Sequence, residues 1–287
     1  RGVRRLLNEP ALDTVTDDDI IEEINEKQRD VAHERLWPFY EDTFSDSTVA
    51  YQKAYTIDAD VSFSKVHTVT VYSQPLAKID TVRFDLLQWD TATTGEPTHA
   101  RVWNGDIELY PFPTTAAQTT TLDGALTATA VSITVVSTSG FSPSGRIIVD
   151  SEVMSYTSTS STQFLGVKRG LEESTAASHL TGATVTDRDI IYSANREPNE
   201  LVDVGDETLI PDPQVLVYGT SMELALSKLN DQTLHDRLKI KYDEALTKLR
   251  GKFGRKMTSA FFRIKDKEEV VSDFGRLRNP QDYPTLS

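Results

Sequence analysis

The hydrophobic period of this chain changes twice, and few folds accommodate both changes. From about residue 16 to 36 the pattern follows helical spacing: Ile20, Ile24, Val31 and Arg35 or Leu36, with Ile21 and Gln28 beside them. Thr16 followed by Asp19 reads as a capping-box variant, and Asp17, Asp18, Asp19, Glu22 and Glu23 crowd the positive end of the helix dipole. Trp37-Pro38 ends the helix, because the residue before proline is pushed out of helical geometry. From about 48 to 110 the period becomes two, in Val49/Tyr51, Tyr55/Ile57, Val61/Phe63, Val66/Val69/Val71, Val82/Phe84/Leu86 and Val102/Ile107/Leu109. Asn104-Gly105 is the strongest hairpin signal among the turns between them. After Pro211-Asp212-Pro213 the helical period returns. One helix is marked by Val215, Leu216, Tyr218, Met222, Leu226 and Leu229, and a second by Leu234, Leu238, Tyr242, Ala245 and Leu249, ending at Gly251 or Gly254. The short connection at 230–232 predicts an antiparallel pair.

Between Pro113 and about residue 190 the composition shifts to Thr, Ser and Ala with little charge. Strands are expected near 127–136, 146–150, 152–157, 162–167 and 183–187, with turns at Ser142-Pro143-Ser144-Gly145 and Arg169-Gly170. The expected fold class is therefore α+β: a helical bundle built from both chain ends, an antiparallel sheet, and an inserted small all-β domain. The expected division is a host domain of 1–113 and 191–264, an inserted domain of 114–190, and a polar C-terminal tail of 265–287.

None of the 287 residues is Cys, which excludes a disulfide scaffold, a Cys-based zinc site, an iron–sulfur cluster and a thiol nucleophile. No apolar run approaches the roughly 20 residues of a membrane span, so no membrane association is expected. The chain begins at Arg1 rather than Met, and further residues are expected before it. The net charge of −14 argues against nucleic-acid binding by bulk attraction. The charge is uneven: residues 228–267 hold 12 basic and 5 acidic side chains, a local +7 that leaves −21 on the rest.

The usual catalytic patterns are missing from the sequence. Gly251-Lys252-Phe253-Gly254 lacks the spacing of a phosphate loop, there is no G-x-S-x-G elbow, and the five His stand at no metal-ligand spacing. Asp203, Asp206 and Glu207 do not meet the EF-hand pattern. No catalytic residue, metal or cofactor is expected. One polar set, Glu152, Tyr156, Arg169 and His179, lies among the strands of the 114–190 segment. It reads either as a sugar site or as a hydrogen-bonded network within a small β fold, the latter preferred because buried polar groups must be paired.

Three segments resemble the head-to-tail adaptor, or connector, proteins of tailed bacteriophages. They are the opening through Ile24-Asn25-Glu26-Lys27-Gln28-Arg29-Asp30, the Asn104–Pro113 hairpin and Tyr-Pro step, and the Pro-bounded lead-in at Leu209–Asp231. The 114–190 segment is similar to small β modules that recur in phage structural proteins, through Gly145, Glu152, Tyr156, Gly166, Arg169, Gly170, His179, Gly182 and Val185.

The resemblance implies a non-enzymatic virion component, assembled in the host cytoplasm. It forms a homo-oligomeric ring, usually of twelve subunits, under the portal protein at the capsid vertex. Tail, nozzle or fibre proteins dock below, and DNA passes through the lumen without specific binding. On this reading Lys252, Phe253, Arg255, Lys256, Phe261, Phe262 and Arg263 form the portal or neighbour interface, and Trp37, Phe39 and Tyr40 an inter-subunit or tail interface. The alternative is a tail-associated receptor- or glycan-binding component acting through the 114–190 segment.

Overall fold

In the computed structural model of the chain, Thr16 and Asp19 close a reciprocal cap. The Asp19 N–H donates to Thr16 Oγ1 at 3.1 Å and the Thr16 N–H to Asp19 Oδ2 at 2.9 Å. The structure describes residues 2–8, 14–59, 61–88, 93–203 and 205–261, with side chains described except at 62–65, 88 and 254–261. Along the chain the elements are α1 (Gly2–Leu7), α2 (Asp17–Glu34), β1 (Glu41–Asp46), β2 (Ala54–Thr56), β3 (Val61–Val71), β4 (Gln74–Pro75), β5 (Ala77–Lys78), α3 (Thr81–Gln88), β6 (His99–Trp103) and β7 (Asp106–Tyr110). There follow β8 (Thr119–Thr121), β9 (Ser132–Thr134), β10 (Gly145–Val149), β11 (Glu152–Tyr156), β12 (Ser158–Thr159), β13 (Gln163–Leu165), β14 (Lys168–Leu171), β15 (Thr184–Asp187), β16 (Ile190–Arg196), α4 (Pro213–Ser227) and α5 (Gln232–Phe261).

This corrects the expected fold class. Among the described residues the molecule is mostly sheet, with sixteen strands in four sheets and only five helices, two of them at the C-terminal end; it is not a helical bundle built from both chain ends. The reason lies in α2. Its fully buried residues, Gln28, Val31 and Ala32, all fall in the sheet-rich one of two compact units, residues 28–209. There the Gln28 amide donates to Asn199 O at 3.1 Å, and the Trp37 indole donates to Val31 O. The C-terminal part of the α2 stripe is spent on that unit.

The other unit comprises residues 1–27 and 210–287. Its core gathers Val3, Leu7, Val15, Met222, Leu224, Ala225 and Leu238. Asp212 caps α4 by accepting from the Gln214 N–H at 3.0 Å, ahead of Pro213 at the first helical position. Helix α4 folds back on α5 at Gly219, where a Cβ would stand 3.0 Å from the Tyr242 ring and 3.3 Å from the Lys27 chain, so only glycine admits this approach without displacement. Helix α5 is 30 residues long and runs past both Gly251 and Gly254, beyond the expected end.

In the sheet-rich unit two sheets, in the orders β1-β16-β3-β4 and β2-β7-β6-β5, share one core of Phe44, Tyr55, Val66, Val69, Ile107, Leu109, Ile190 and Tyr192. Alternation buries Ile107 and Leu109 of β7, and the β6–β7 turn places both Asn104 and Gly105 at positive φ, +51° and +86°, as a type I′ turn demands. The other two sheets, β14-β11-β10-β15-β8 and β12-β13-β9, enclose a separate core of Ile133, Ile147, Val149, Met154, Tyr156, Phe164 and Val185. A polar seam joins the two cores. Glu172 accepts from Ser45 Oγ, Arg146 and Arg188, while Arg146 also donates to Thr43 O at 2.7 Å.

Two local expectations are corrected as well. Val82, Phe84 and Leu86 lie on helix α3, not on a strand. Asp80 caps it by accepting from the Arg83 N–H, Phe84 is fully buried beneath the Arg101 guanidinium at 4.6 Å, and Val82 and Leu86 face solvent. Arg169-Gly170 forms part of β14 rather than a turn, although Gly170 takes a φ of +61°. Among the described residues no helix is long and apolar enough to cross a membrane.

Candidate functional site

The polar set singled out in the 114–190 segment divides in the structure. A tight β10–β11 turn, with Asp150 at a φ of +53°, sets Glu152 at the head of β11, where it is only 1% exposed. Arg169, on the neighbouring strand β14, meets it with a two-point fork, Nε to Oε1 and Nη2 to Oε2, both 2.7 Å. The N–H groups of Gly170 and Ala177 add bonds of 3.1 and 3.0 Å. His179, also buried, lies with Nε2 2.9 Å from Glu152 Oε2 and Nδ1 2.7 Å from Asp150 Oδ2. Two further Arg169 protons go to the carbonyls of Thr127 and Ala177. Burial pushes the Glu152 carboxyl up, but the Arg169 fork, the Ala177 N–H and His179 outweigh it and hold it at about 2.

Both Glu152 oxygens are thus saturated from within the chain, which makes the cluster a clasp across β11, β14 and the 177–179 segment. Tyr156 stands apart from it, tilted on Phe164 with ring centroids 4.6 Å apart, its hydroxyl donating to Ser142 O at 3.0 Å.

Trp37, Phe39 and Tyr40 form an aromatic step, with centroids 5.2 Å apart for Trp37–Phe39 and 4.9 Å for Phe39–Tyr40. Trp37 and Tyr40 are each 1% exposed, so their ring surface is used within the chain; Phe39 is half-buried. In the basic arm, Lys252 is exposed with its ammonium 5.5 Å from the centre of the Phe253 ring. Arg255, Lys256 and Phe261 lie on the α5 backbone with side chains outside the described residues, and Phe262 and Arg263 lie outside the described residues altogether. Upstream on α5, Arg237, Lys239, Lys248 and Arg250 are exposed.

The acidic residues at the start of α2 and around 203–207 serve the backbone and ion pairs. Asp206 accepts from the Val202 and Asp203 N–H groups, Asp17 pairs with Arg4 at 2.6 Å, and Asp19 pairs with Lys228 at 2.6 Å. Among the described residues no group of three or more His, Asp or Glu side chains is placed to hold a metal ion.

A second pair of acids carries no motif in the sequence. Asp187 closes β15 and Asp189 precedes β16; both line one cleft, and Arg188 between them does not. Arg188 is taken up by Ser45, Glu172 and Asp46. The two carboxylates line a cavity of about 330 Å³ with Tyr72, Glu96, Gln118 and Ser142 among its other walls, and no basic residue lines it. Asp189 accepts from the Thr48 N–H at 2.7 Å and the Thr48 hydroxyl at 2.6 Å. Burial, with the Asp189 charge second, pushes the Asp187 carboxyl up to about 7. Burial also raises Asp189, against the pull of Thr48. The available signal was the Asp187-Arg188-Asp189 alternation at a strand junction, which from sequence reads only as a charged domain edge.

No protein-family model matches this chain, and no curated protein matches it.

Proposed function

We propose that the chain is a structural head-to-tail adaptor of a tailed phage: a ring-forming virion protein that joins the portal to the tail around the DNA exit channel. The observation that carries this reading is the division of charge. Exposed Arg237, Lys239, Lys248, Arg250 and Lys252 line α5, within a stretch of net +7, while the rest of the chain carries −21. A basic terminal helix fits an acidic portal surface, and an acidic body turned toward the lumen repels DNA and lets it slide. The resemblance of the capped first helix, the Asn104-Gly105 hairpin and the Pro-bounded lead-in to α4 supports the same reading. The arm acts through Lys252, Phe253, Arg255, Lys256, Phe261, Phe262 and Arg263, and Phe39 adds a half-exposed anchor to a neighbouring subunit. The partners are further copies of the chain, the portal, and tail, nozzle or fibre proteins, all within the virion.

Charge reversal tests it. Replacing Lys252, Arg255, Lys256 and Arg263 together by Glu should weaken binding to the cognate portal at least tenfold, with an unchanged circular dichroism spectrum. Wild-type binding should weaken as salt is raised, because exposed charge contacts are screened. Undiminished portal binding by the reversed variant would overturn the assignment of the arm.

A further inference from the structure

We propose that the Asp187–Asp189 cleft is a divalent-cation site matched to Ca²⁺, built on two buried carboxylates and completed by neutral protein oxygens and water. Three observations converge on it. Asp187 is 7% exposed and lines the cavity, yet no side chain donates to its carboxylate and no basic residue pairs with it. Its backbone donor, the Arg188 N–H, is shared with Arg146 O, 2.9 Å away. A carboxylate so placed, with no cationic partner, favours a proton or a cation, since burying an uncompensated charge is costly.

Asp189 adds a second buried carboxylate with both oxygens held in place by Thr48, and so presents a fixed ligand. The remaining walls offer oxygen from the Gln118 amide and the Ser142 hydroxyl, and the cavity of about 330 Å³ has room for several waters at roughly 30 Å³ each. Gly140 has a φ of +89°, and a Cβ there would stand 2.8 Å from Gln118 Oε1; its glycine keeps the amide in the cleft.

The donor chemistry selects the metal. Hard oxygen ligands without nitrogen or sulfur suit Ca²⁺ or Mg²⁺ rather than zinc or copper. An irregular cleft with few fixed ligands suits the variable, six-to-eight-oxygen shell of Ca²⁺ better than the strict octahedron of Mg²⁺.

Tyr72 makes the site directly readable. Its ring lines the cleft, its N–H donates to Asp189 O at 3.1 Å, and its hydroxyl donates to Thr115 O at 3.2 Å. Terbium bound beside it should therefore emit on tyrosine excitation. In the full-length chain Tb³⁺ emission should saturate at one ion per chain and be displaced by Ca²⁺. Asp187→Asn and Asp189→Asn should each weaken binding at least tenfold, while Asp18→Asn, an exposed acid of α2, should leave it unchanged. Thermal melts establish that each variant is folded, and Ca²⁺ should raise the melting temperature of the wild type but not of Asp187→Asn. Equal emission from wild type and Asp187→Asn, or no effect of Ca²⁺ on either readout, would overturn the site. The result is independent of ring formation, since the site lies wholly within one chain.

Discussion

Replacing Arg169 by Met is expected to destabilise the β10–β11–β14 region by about 3–5 kcal/mol, the cost of stripping one partner from a buried ion pair. Glu152 would keep its Gly170, Ala177 and His179 contacts but lose both arms of the fork that holds its carboxyl at about 2. The double variant Arg169→Met with Glu152→Gln removes the stranded charge and should recover much of the loss. Urea unfolding read by hydrogen exchange on β10, β11 and β14 measures it locally. A loss below about 1 kcal/mol would mean that the clasp does not hold these strands together. The same clasp gives an acid limit. Because the Glu152 carboxyl is depressed when folded, its stabilisation is present above the ordinary value of 4.5 and is lost as pH falls through about 2.

The second large effect runs the other way in pH. Asp187 binds its proton more tightly in the folded chain, with a pKa of about 7 against 3.8. Its contribution is therefore complete below about pH 4 and is lost as pH rises through 7, a swing of order 4 kcal/mol from a shift of about three units. Asp189, also raised, acts in the same direction. In chelator-treated protein, stability should peak on the acid side of neutrality and decline toward pH 8. Asp187→Asn should flatten that decline and exceed the wild type at pH 8. A wild-type stability that rises from pH 5 to 8, with Asp187→Asn below it throughout, would contradict the buried like-charge pair.

Much of the local structure was legible because its signals are short-range. Thr16 and Asp19 form the cap that their spacing implies, Asn104-Gly105 makes its hairpin, and Asp212-Pro213 opens α4. What misled was a period that two structures share. Val82, Phe84 and Leu86 alternate as a strand would, but Asp80 caps a helix there and Phe84 alone is buried, under Arg101, a residue distant in sequence. The fold class failed for a related reason. The stripe of α2 does not say which partner it faces, and the deciding contacts, Gln28 to Asn199 and Trp37 to Val31 with Asn195 donating to Trp37 O, mostly join residues over 150 positions apart. Helix α5 passes Gly251 and Gly254 because a helix tolerates an isolated glycine at about 1 kcal/mol each.

The polar residues divide the same way. Glu152, Arg169 and His179 stand out in a segment poor in charge, so the cluster is visible in sequence, and its saturation by backbone N–H groups is visible only in three dimensions. Asp187 and Asp189 look like an ordinary charged edge until the strands on either side bury them and turn Arg188 away.

The proposed function is assembly with copies of the chain beneath a portal. Negative-stain imaging of the purified protein, alone and mixed with its portal, tests that most directly. The expected result is a closed ring of about twelve subunits, stacked coaxially on the portal, with a central hole wide enough for duplex DNA. Monomers that remain monomers at micromolar concentration in the presence of portal would contradict it.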